Sequence, residues 1–600
     1  MTAIENDKTN RSVFIDLLKA IAITVVVLYH FELMQYGYLG VDIFLVVAGF
    51  LTGKSIQRAH EKQQFGYFGF LFRRIIRLLP LILIAVFVCL VVGSFLMLPD
   101  DYENLAESVI ATNVFSNNIL QCITTKNYWD VVNNYKPLMH TWYLGVLFEA
   151  YIAIALVPFI GYTVLKGKKS ADKWIAAALI CISVISLVLY LLPRFSTAYR
   201  FYMIPFRLYE VGFGCAIAFL HFDNHRVKHR GIAYTVMTVF FAALCLMAVP
   251  VIPFNDSARL LTVVGSTCGL IMLYQRLDPS LLDCKVTRVA AYLGKASLSI
   301  YIWHQIVIAF FRYSIAAKPT ALQYIGVFAV VGILSALSYR FIEKRDFTLK
   351  RNKYGYVSMI FMAALFVVTT AFSGFVYLRS GVIRDVPELE ISVKHVQKGM
   401  HKQYNDAVYN MQKPFSDEDQ TKVLVIGDSF ARDWVNILME SELSDIDISY
   451  CYYAPTGNQL VCDDLIEQAD IIFFSLFSDY ESLPALLEAR YYQGDVYVVG
   501  VKNFGESNGI VYINRGRPDY GEQTVRISDE YIVRNERQKQ QFGDRYIDML
   551  APVSAGDGTV VVFTPDCKFI SQDCRHLTHA GAVYYAQKLD LSWIEHNRKD

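Results

Sequence analysis

The chain has 600 residues, of which 54% are hydrophobic, 14% aromatic and 18% charged, with a formal net charge of +1. Soluble domains carry roughly 25% charged residues, so this composition excludes an ordinary soluble enzyme, and the near-neutral balance gives no footing for nucleic-acid binding. The length exceeds one domain, and two or more units are expected.

The apolar residues fall in long blocks and not at amphipathic spacing. A helix needs about 20 mostly apolar residues to cross the hydrocarbon layer. Such blocks lie near 13–33, 38–56, 77–98, 138–160, 174–192, 203–221, 231–251, 258–276, 289–311, 321–342 and 354–378, which predicts eleven spans. The polar N-terminal residues and the full length of the first block, without a small-residue cleavage site, mark that block as a retained span.

Within the first span, IDLLKAIAITVVVLYHF, the ionisable residues are Asp16, Lys19 and His30. Ionisable groups inside a bilayer are costly and stand as functional hypotheses, although an Asp16–Lys19 ion pair with an interfacial His30 is the plainer alternative. The segment after the second span carries Lys54, Arg58, Lys62, Arg73, Arg74 and Arg77, and further Lys and Arg lie around 166–173, 226–230, 276–288 and 344–353. The alternate loops are poorer in positive charge: the longest, 99–136, has only Lys126 and Lys136. Basic loops favour the cytoplasm, which predicts a cytoplasmic N-terminus. With an odd number of spans, the C-terminal part lies outside. For Arg74 and Arg77, plain anchoring of this kind is one reading.

After about residue 380 the pattern changes to short apolar runs between polar turns, the mark of a water-soluble α/β domain. Four of the eleven cysteines, Cys451, Cys462, Cys567 and Cys574, fall there. Disulfides persist outside the cytoplasm, and pairing Cys451 with Cys462 and Cys567 with Cys574 fits, although spacing alone does not fix the connectivity. Neither spacing resembles a zinc site, so no metal is expected.

Lys422 opens KVLVIGDSFARDWVNIL, which reads as a buried strand, a tight turn at Gly427 and a helix. Ser429 sits where strand gives way to helix. Its hydroxyl can project there while helix-start N–H groups hold an oxyanion, or Asp428 and Ser429 merely cap the helix. Near the C-terminus, DCRHLTHAGAVYYAQKL places Asp573 and His576 three apart, so one turn can present a carboxylate that orients an imidazole base. His579 is a competing base.

The pairing of this GDS with DxxHLT over residues 421–595 resembles the SGNH (GDSL-type) superfamily of hydrolases and acyltransferases. The resemblance implies an α/β three-layer domain over 421–600 with catalytic Ser429, Asp573 and His576. It also implies Gly and Asn oxyanion donors, for which Gly457 and Asn503 are the candidates. Asn458 is an alternative, and the expected Asn position after the third strand holds Ser478 and Asp479.

The segments GYLGVDIFLVVAGFLTG, FLFRRIIRLLP, HTWYLGVLFEAY, LGKASLSIYIWHQIV and SYRFIEK, in that order over residues 11–346, resemble the membrane acyltransferase-3 family. The resemblance implies a multi-pass helical membrane domain over 1–346 that takes acyl groups from cytoplasmic acyl-CoA, most often acetyl-CoA. Residues 347–420 then hold an eleventh span and a linker. The family's Arg-x10-His maps onto Lys19 and His30, and its Arg-x-x-Arg onto Arg74 and Arg77. These put Lys19, Arg74 and Arg77 at the CoA phosphates and His30 in the transfer step. His140 and His304 lie at further motif positions, whereas Glu149 stands where the acidic pattern departs.

Such a fusion resembles bacterial inner-membrane enzymes that O-acetylate O-antigen, capsule, exopolysaccharide or peptidoglycan. An esterase that removes acyl groups from a surface glycan is the alternative. A transporter with an accessory domain and a glycan-binding module are more distant rivals.

Overall fold

The computed structural model describes residues 2–124, 131–165, 170–222, 229–250, 253–277, 285–344, 353–395, 400–416, 419–453, 462–476 and 495–596. Gly457, Asn458, Ser478, Asp479, Lys126 and much of the basic clusters at 166–169, 226–228 and 345–351 lie outside the described residues. The chain divides into two compact units. The first comprises Met1–Gly93, Leu105–Arg312 and Lys318–Gly374; the second comprises Ser94–Asn104, Tyr313–Ala317 and Phe375–Asp600. Two short stretches from earlier in the chain, Ser94–Asn104 and Tyr313–Ala317, thus belong to the second unit. Leu98 enters an apolar cluster with Val382, Val386, Ile391 and Phe563, and the Arg384 guanidinium donates to the carbonyls of Ser94 and Met97.

Among the described residues, eight helices are long and apolar enough to cross a membrane. They are Val13–His30, Gly37–Glu61, Tyr67–Leu96, Met139–Val164, Ala171–Leu191, Asp256–Arg276, Ala321–Glu343 and Tyr356–Leu378. The other three of the eleven expected blocks take different forms. The block at 203–221 gives the shorter helix Leu208–Phe219, because Met203 is extended and Pro205 opens a short 3₁₀ turn first. The block at 231–251 gives Gly231–Met247, also shorter. The block at 289–311 divides at Ala296 into Lys285–Lys295 and Ser297–Ser314. The stretch read as a long loop after residue 99 is itself helical over Pro99–Asn113 and Asn117–Thr124.

In the first unit the helices Gly40–Glu61 and Leu208–Phe219 approach so closely that a Cβ on Gly49 would lie 2.0 Å from the Val211 carbonyl oxygen. One on Gly214 would lie 2.0 Å from that of Val46. Small residues permit this backbone approach where lipid offers no hydrophobic drive between helices. Beside the crossing, buried Arg207 pairs with Asp42 at 2.6 Å and Glu210 at 2.9 Å and donates from Nε to the Phe201 carbonyl at 3.0 Å. A buried guanidinium needs this many partners.

The second unit is built on a parallel sheet. Its strands are β1 (Thr421–Gly427), β2 (Ile446–Tyr452), β3 (Ile471–Ser475), β4 (Asp495–Val499) and β6 (Tyr546–Ile547), in the order β2-β1-β3-β4-β6. A small antiparallel sheet holds β5 (Thr524–Arg526), β7 (Ser554–Gly556) and β8 (Thr559–Val561) in the order β5-β8-β7. Alternate residues of β1 enter different cores: Val423 and Val425 pack with Trp434 and Tyr585, Leu424 and Ile426 with Ile466 and Phe474. The parallel sheet is therefore covered on both faces, which explains why β1 and β3 read as unbroken apolar runs. Cys451 and Cys462 form a disulfide. The expected Cys567–Cys574 bond is not formed: both are free thiols, and buried Cys574 donates instead to Asn508 Oδ1 at 3.3 Å.

Beyond β1 the chain must turn at once into the helix Ser429–Met439. Gly427 makes that turn with φ +150°, and a Cβ there would lie 1.8 Å from the Ser475 carbonyl oxygen. Gly427→Ala is expected to cost about 3 kcal/mol or more, through clash and strain together. The check is a lower unfolding midpoint of the purified protein with the helical content of the first unit retained.

Candidate functional site

Two parallel strands leave β1 in opposite directions, β2 to one side and β3 to the other, so the carboxyl end of β1 opens on the sheet's switch point, where open α/β sheets leave a crevice. Ser429 stands there at the start of the helix Ser429–Met439, and Asp428 caps that helix by accepting from the Phe430 N–H at 2.9 Å. The capping reading of the motif is thus met by Asp428.

The structure brings Ser429, His576 and Asp573 into one line. His576 Nε2 lies 2.8 Å from Ser429 Oγ, and its Nδ1 lies 2.6 Å from Asp573 Oδ2. Burial favours a neutral Asp573. The imidazole and the backbone N–H groups of His576 and Arg575 outweigh it and hold the carboxyl well below the usual carboxylate range. An ionised Asp573 requires the proton on Nδ1, which leaves Nε2 to accept from the serine hydroxyl. Burial opposes protonation of His576 as well, yet Asp573 and then Asp433 raise its pKa above the ordinary imidazole value. His579, the competing base, is turned to Glu390 and Glu440 at 3.4 and 3.6 Å.

Of the two oxyanion candidates, Gly457 lies outside the described residues. Asn503 braces its own loop: its amide donates to the Gly505 carbonyl at 3.1 Å and its Oδ1 accepts from the Gly505 N–H at 3.2 Å.

Asp433, one helical turn after Ser429, is a partner that sequence reasoning missed. It is fully buried, takes Lys502 Nζ at 2.9 Å and Arg432 Nη2 at 3.0 Å, and accepts the Leu577 N–H at 3.0 Å. Leu577 follows His576, so this carboxylate fixes the turn that carries the base. Nothing in SFARDW distinguishes Asp433 from a surface residue; its partners lie 69 and 144 residues away.

In the first unit, Lys19, Arg74 and Arg77 line one cavity of about 150 Å³ together with Lys295, Glu343 and Tyr301. The plainer reading of Lys19 also holds, since its ammonium is 3.1 Å from Asp16. Arg74 lies over the Phe70 and Tyr151 rings at 4.9 and 5.0 Å, and its buried Nη2 has no hydrogen-bond partner.

His30 does not line that cavity. It joins His140 and His304, with ring centroids 5.1 Å (His30–His304) and 5.3 Å (His140–His304) apart. Among the described residues, Nε2 of His304 has no hydrogen-bond partner. Tyr301 belongs to both places: it lines the cavity, its hydroxyl donates to the His140 carbonyl, and its ring is 5.6 Å from His304. Glu149 accepts from Asn118 at 3.2 Å and enters neither group. No cluster of metal-ligating side chains is found among the described residues.

The model of the acyltransferase-3 family, described as an acyltransferase domain, matches residues 12–340. The peptidoglycan O-acetyltransferase OatA of Listeria monocytogenes is 26% identical over 343 residues, 55% of this chain and 54% of its own length. YrhL of Bacillus subtilis, whose name gives peptidoglycan O-acetylation as an inferred activity, is 26% identical over 352 residues, again 55% and 54%. An inferred O-acetyltransferase of Staphylococcus aureus strain COL is 25% identical over 347 residues, 55% of this chain and 56% of its own length. The chain thus spans about half the length of the relatives it matches. No solved structure matches it significantly.

Asp433→Asn would leave the Lys502 ammonium buried against a neutral amide, an imbalance that costs about 3–5 kcal/mol. Removing both charges, as Asp433→Asn with Lys502→Met, is expected to recover most of that loss. Chemical unfolding followed by fluorescence of the buried Trp434 reads both variants.

Proposed function

The chain belongs to the acyltransferase-3 family, and from that premise we propose that it is an O-acetyltransferase. In this reading it takes acetyl groups from cytoplasmic acetyl-CoA and passes them through Ser429 to hydroxyls of a cell-wall glycan. The observation that carries the second half is the hydrogen-bonded line Ser429–His576–Asp573. The apolar helices and the family make the chain a membrane protein. The bacterial inner membrane, a cytoplasmic N-terminus and an external C-terminal unit of SGNH type complete the proposal.

CoA carries several phosphate charges and cannot cross a bilayer, so only its acyl group can be handed on. Lys19, Arg74, Arg77 and Lys295 in the cavity suit those phosphates, with Arg the better fork for bidentate contact. His30, at the far end of the same helix and in the histidine cluster, assists acyl transfer as base or as transient carrier. At the other centre, Ser429 Oγ attacks the acyl carbonyl while its proton passes to His576 Nε2. The carrier departs with that proton and leaves an acetyl ester on Ser429. A sugar hydroxyl then gives its proton to His576, attacks the ester and releases Ser429. Water in place of the sugar would make the same centre an esterase; the family match over residues 12–340 favours transfer.

Peptidoglycan is the first acceptor to examine, since two of the relatives named above carry it in their names. In a strain lacking the gene, wild type is expected to restore base-labile acetate on purified peptidoglycan, read by proton NMR. Ser429→Ala and His30→Ala should each restore none. Intact transfer by Ser429→Ala would remove the acyl-serine step. With the purified protein, Arg74→Ala combined with Arg77→Ala is expected to raise the KM for acetyl-CoA about 10- to 100-fold while kcat changes little, the pattern of lost uniform binding.

A further inference from the structure

The cavity of the first unit has two unlike ends. Tyr143, Leu147 and Tyr151 of the helix Trp142–Val164 line it at a spacing of four, so they form one stripe along a single helix face. Tyr143 and Tyr151 are eight residues apart, about 12 Å at 1.5 Å per residue. At the Tyr151 end the Arg74 guanidinium lies over the ring at 5.0 Å. At the Tyr143 end the wall is aromatic. The Tyr143 ring packs edge-on against Tyr301, with centroids 5.3 Å apart, and lies 6.2 Å from Phe44. Phe44, Tyr143 and Tyr301 all line the cavity, and all three are buried.

Tyr301 is also the near wall of the histidine cluster. Its ring centroid is 5.1 Å from that of His140 and 5.6 Å from that of His304, and His304 stands 5.1 Å from His30. Its hydroxyl donates to the His140 carbonyl, which holds the ring in place. Aromatic rings with centroids about 4.5–7 Å apart are in contact. Tyr301 thus touches Tyr143 on the cavity side and His140 on the histidine side.

We propose that Tyr301, braced by Tyr143, is a specificity-determining residue: its ring stands between the cavity and the histidine cluster, admits a short acyl group and turns longer ones back. The inference rests on the reading that acyl-CoA occupies the cavity and gives up its acyl group at His30. The acyl end must then come past the Tyr301 ring, which gives way only by leaving the His140 carbonyl and shifting against Tyr143. An acetyl group asks for the smallest such shift. Every further methylene has to be fitted against rings already in contact, and overpacking of this kind is costly.

The test is a chain-length series. The full-length protein in detergent, with soluble peptidoglycan fragments, receives acetyl-, propionyl-, butyryl- or hexanoyl-CoA. Free CoA is read by mass, with His30→Ala as the blank. One methylene against a built pocket is worth about 10- to 200-fold, so wild type is expected to use butyryl-CoA at least about 100-fold less well than acetyl-CoA by kcat/KM. Tyr301→Leu should narrow that ratio about 10-fold or more, whereas Tyr301→Phe, which keeps the ring, should narrow it little. Where Tyr301→Leu does not fold, Tyr143→Leu carries the same expectation. Nitrophenyl acetate and nitrophenyl butyrate can meet Ser429 without entering the cavity, and wild type should cleave the two at similar rates. Three results each overturn the role of Tyr301 alone: equal use of all four acyl-CoAs by wild type, a ratio unmoved in the leucine variants, or rejection of nitrophenyl butyrate as strong as that of butyryl-CoA. Release of CoA from none of the four overturns the parent reading and this one with it.

Discussion

Asp433 joins the two parts of the second unit that matter most to the serine. Ser429 and His576 are 147 residues apart in sequence, and their hydrogen bond survives only if the helix bearing one is registered against the turn bearing the other. Asp433 makes that registration by accepting the Leu577 N–H. Its own charge would be intolerable in the core without Lys502 and Arg432, and those cations would be equally costly without it. Burial favours its neutral form, but Lys502, Arg432 and His576 keep it ionised. Loss of one member alone leaves a buried charge unmatched, so the geometry at Ser429 is held by electrostatic balance as well as by packing.

The first unit solves a related problem in an apolar bundle. Arg207 is held between Asp42 and Glu210 beside the glycine crossing, which fixes two helices whose backbones touch. The histidine cluster is different in kind: Nε2 of His304 has no hydrogen-bond partner among the described residues, although buried polar atoms ordinarily do. Tyr301 spans the interval between this cluster and the cationic cavity. Lys19 and His30 lie at opposite ends of the same apolar stretch, about 16 Å apart at 1.5 Å per residue. One straight helix therefore serves both places.

How much of this was legible followed from whether the signal was local. The strand, turn and helix around Ser429 could be read because a buried parallel strand is an unbroken apolar run and a tight turn needs Gly427. Asp573 and His576 were readable because one turn holds both. Asp433 and Lys502 were not, since their meaning comes from partners far away in the chain. The count of apolar blocks exceeded the count of long helices where Pro205 or a break at Ala296 interrupts a block that hydropathy alone treats as continuous. The cysteine pairing failed in half for the same reason, as spacing says nothing of what Cys574 meets in the core.

The distribution of cations argues for a division of labour between the two centres. Beside Ser429 the positive groups are committed: Lys502 and Arg432 neutralise Asp433. A polyphosphorylated donor would find no spare charge in that pair. In the cavity of the first unit, Arg74 keeps a buried guanidinium nitrogen without a partner, and Lys295 and Arg77 line the same space. That cavity in turn offers no serine backed by an imidazole, while the histidine cluster lies one tyrosine away. Each centre has what the other lacks, one a group of cations around a cavity and the other a hydroxyl hydrogen-bonded to an imidazole. A chain built this way suits a reaction in which the charged carrier stays behind and only a small neutral acyl group is passed on.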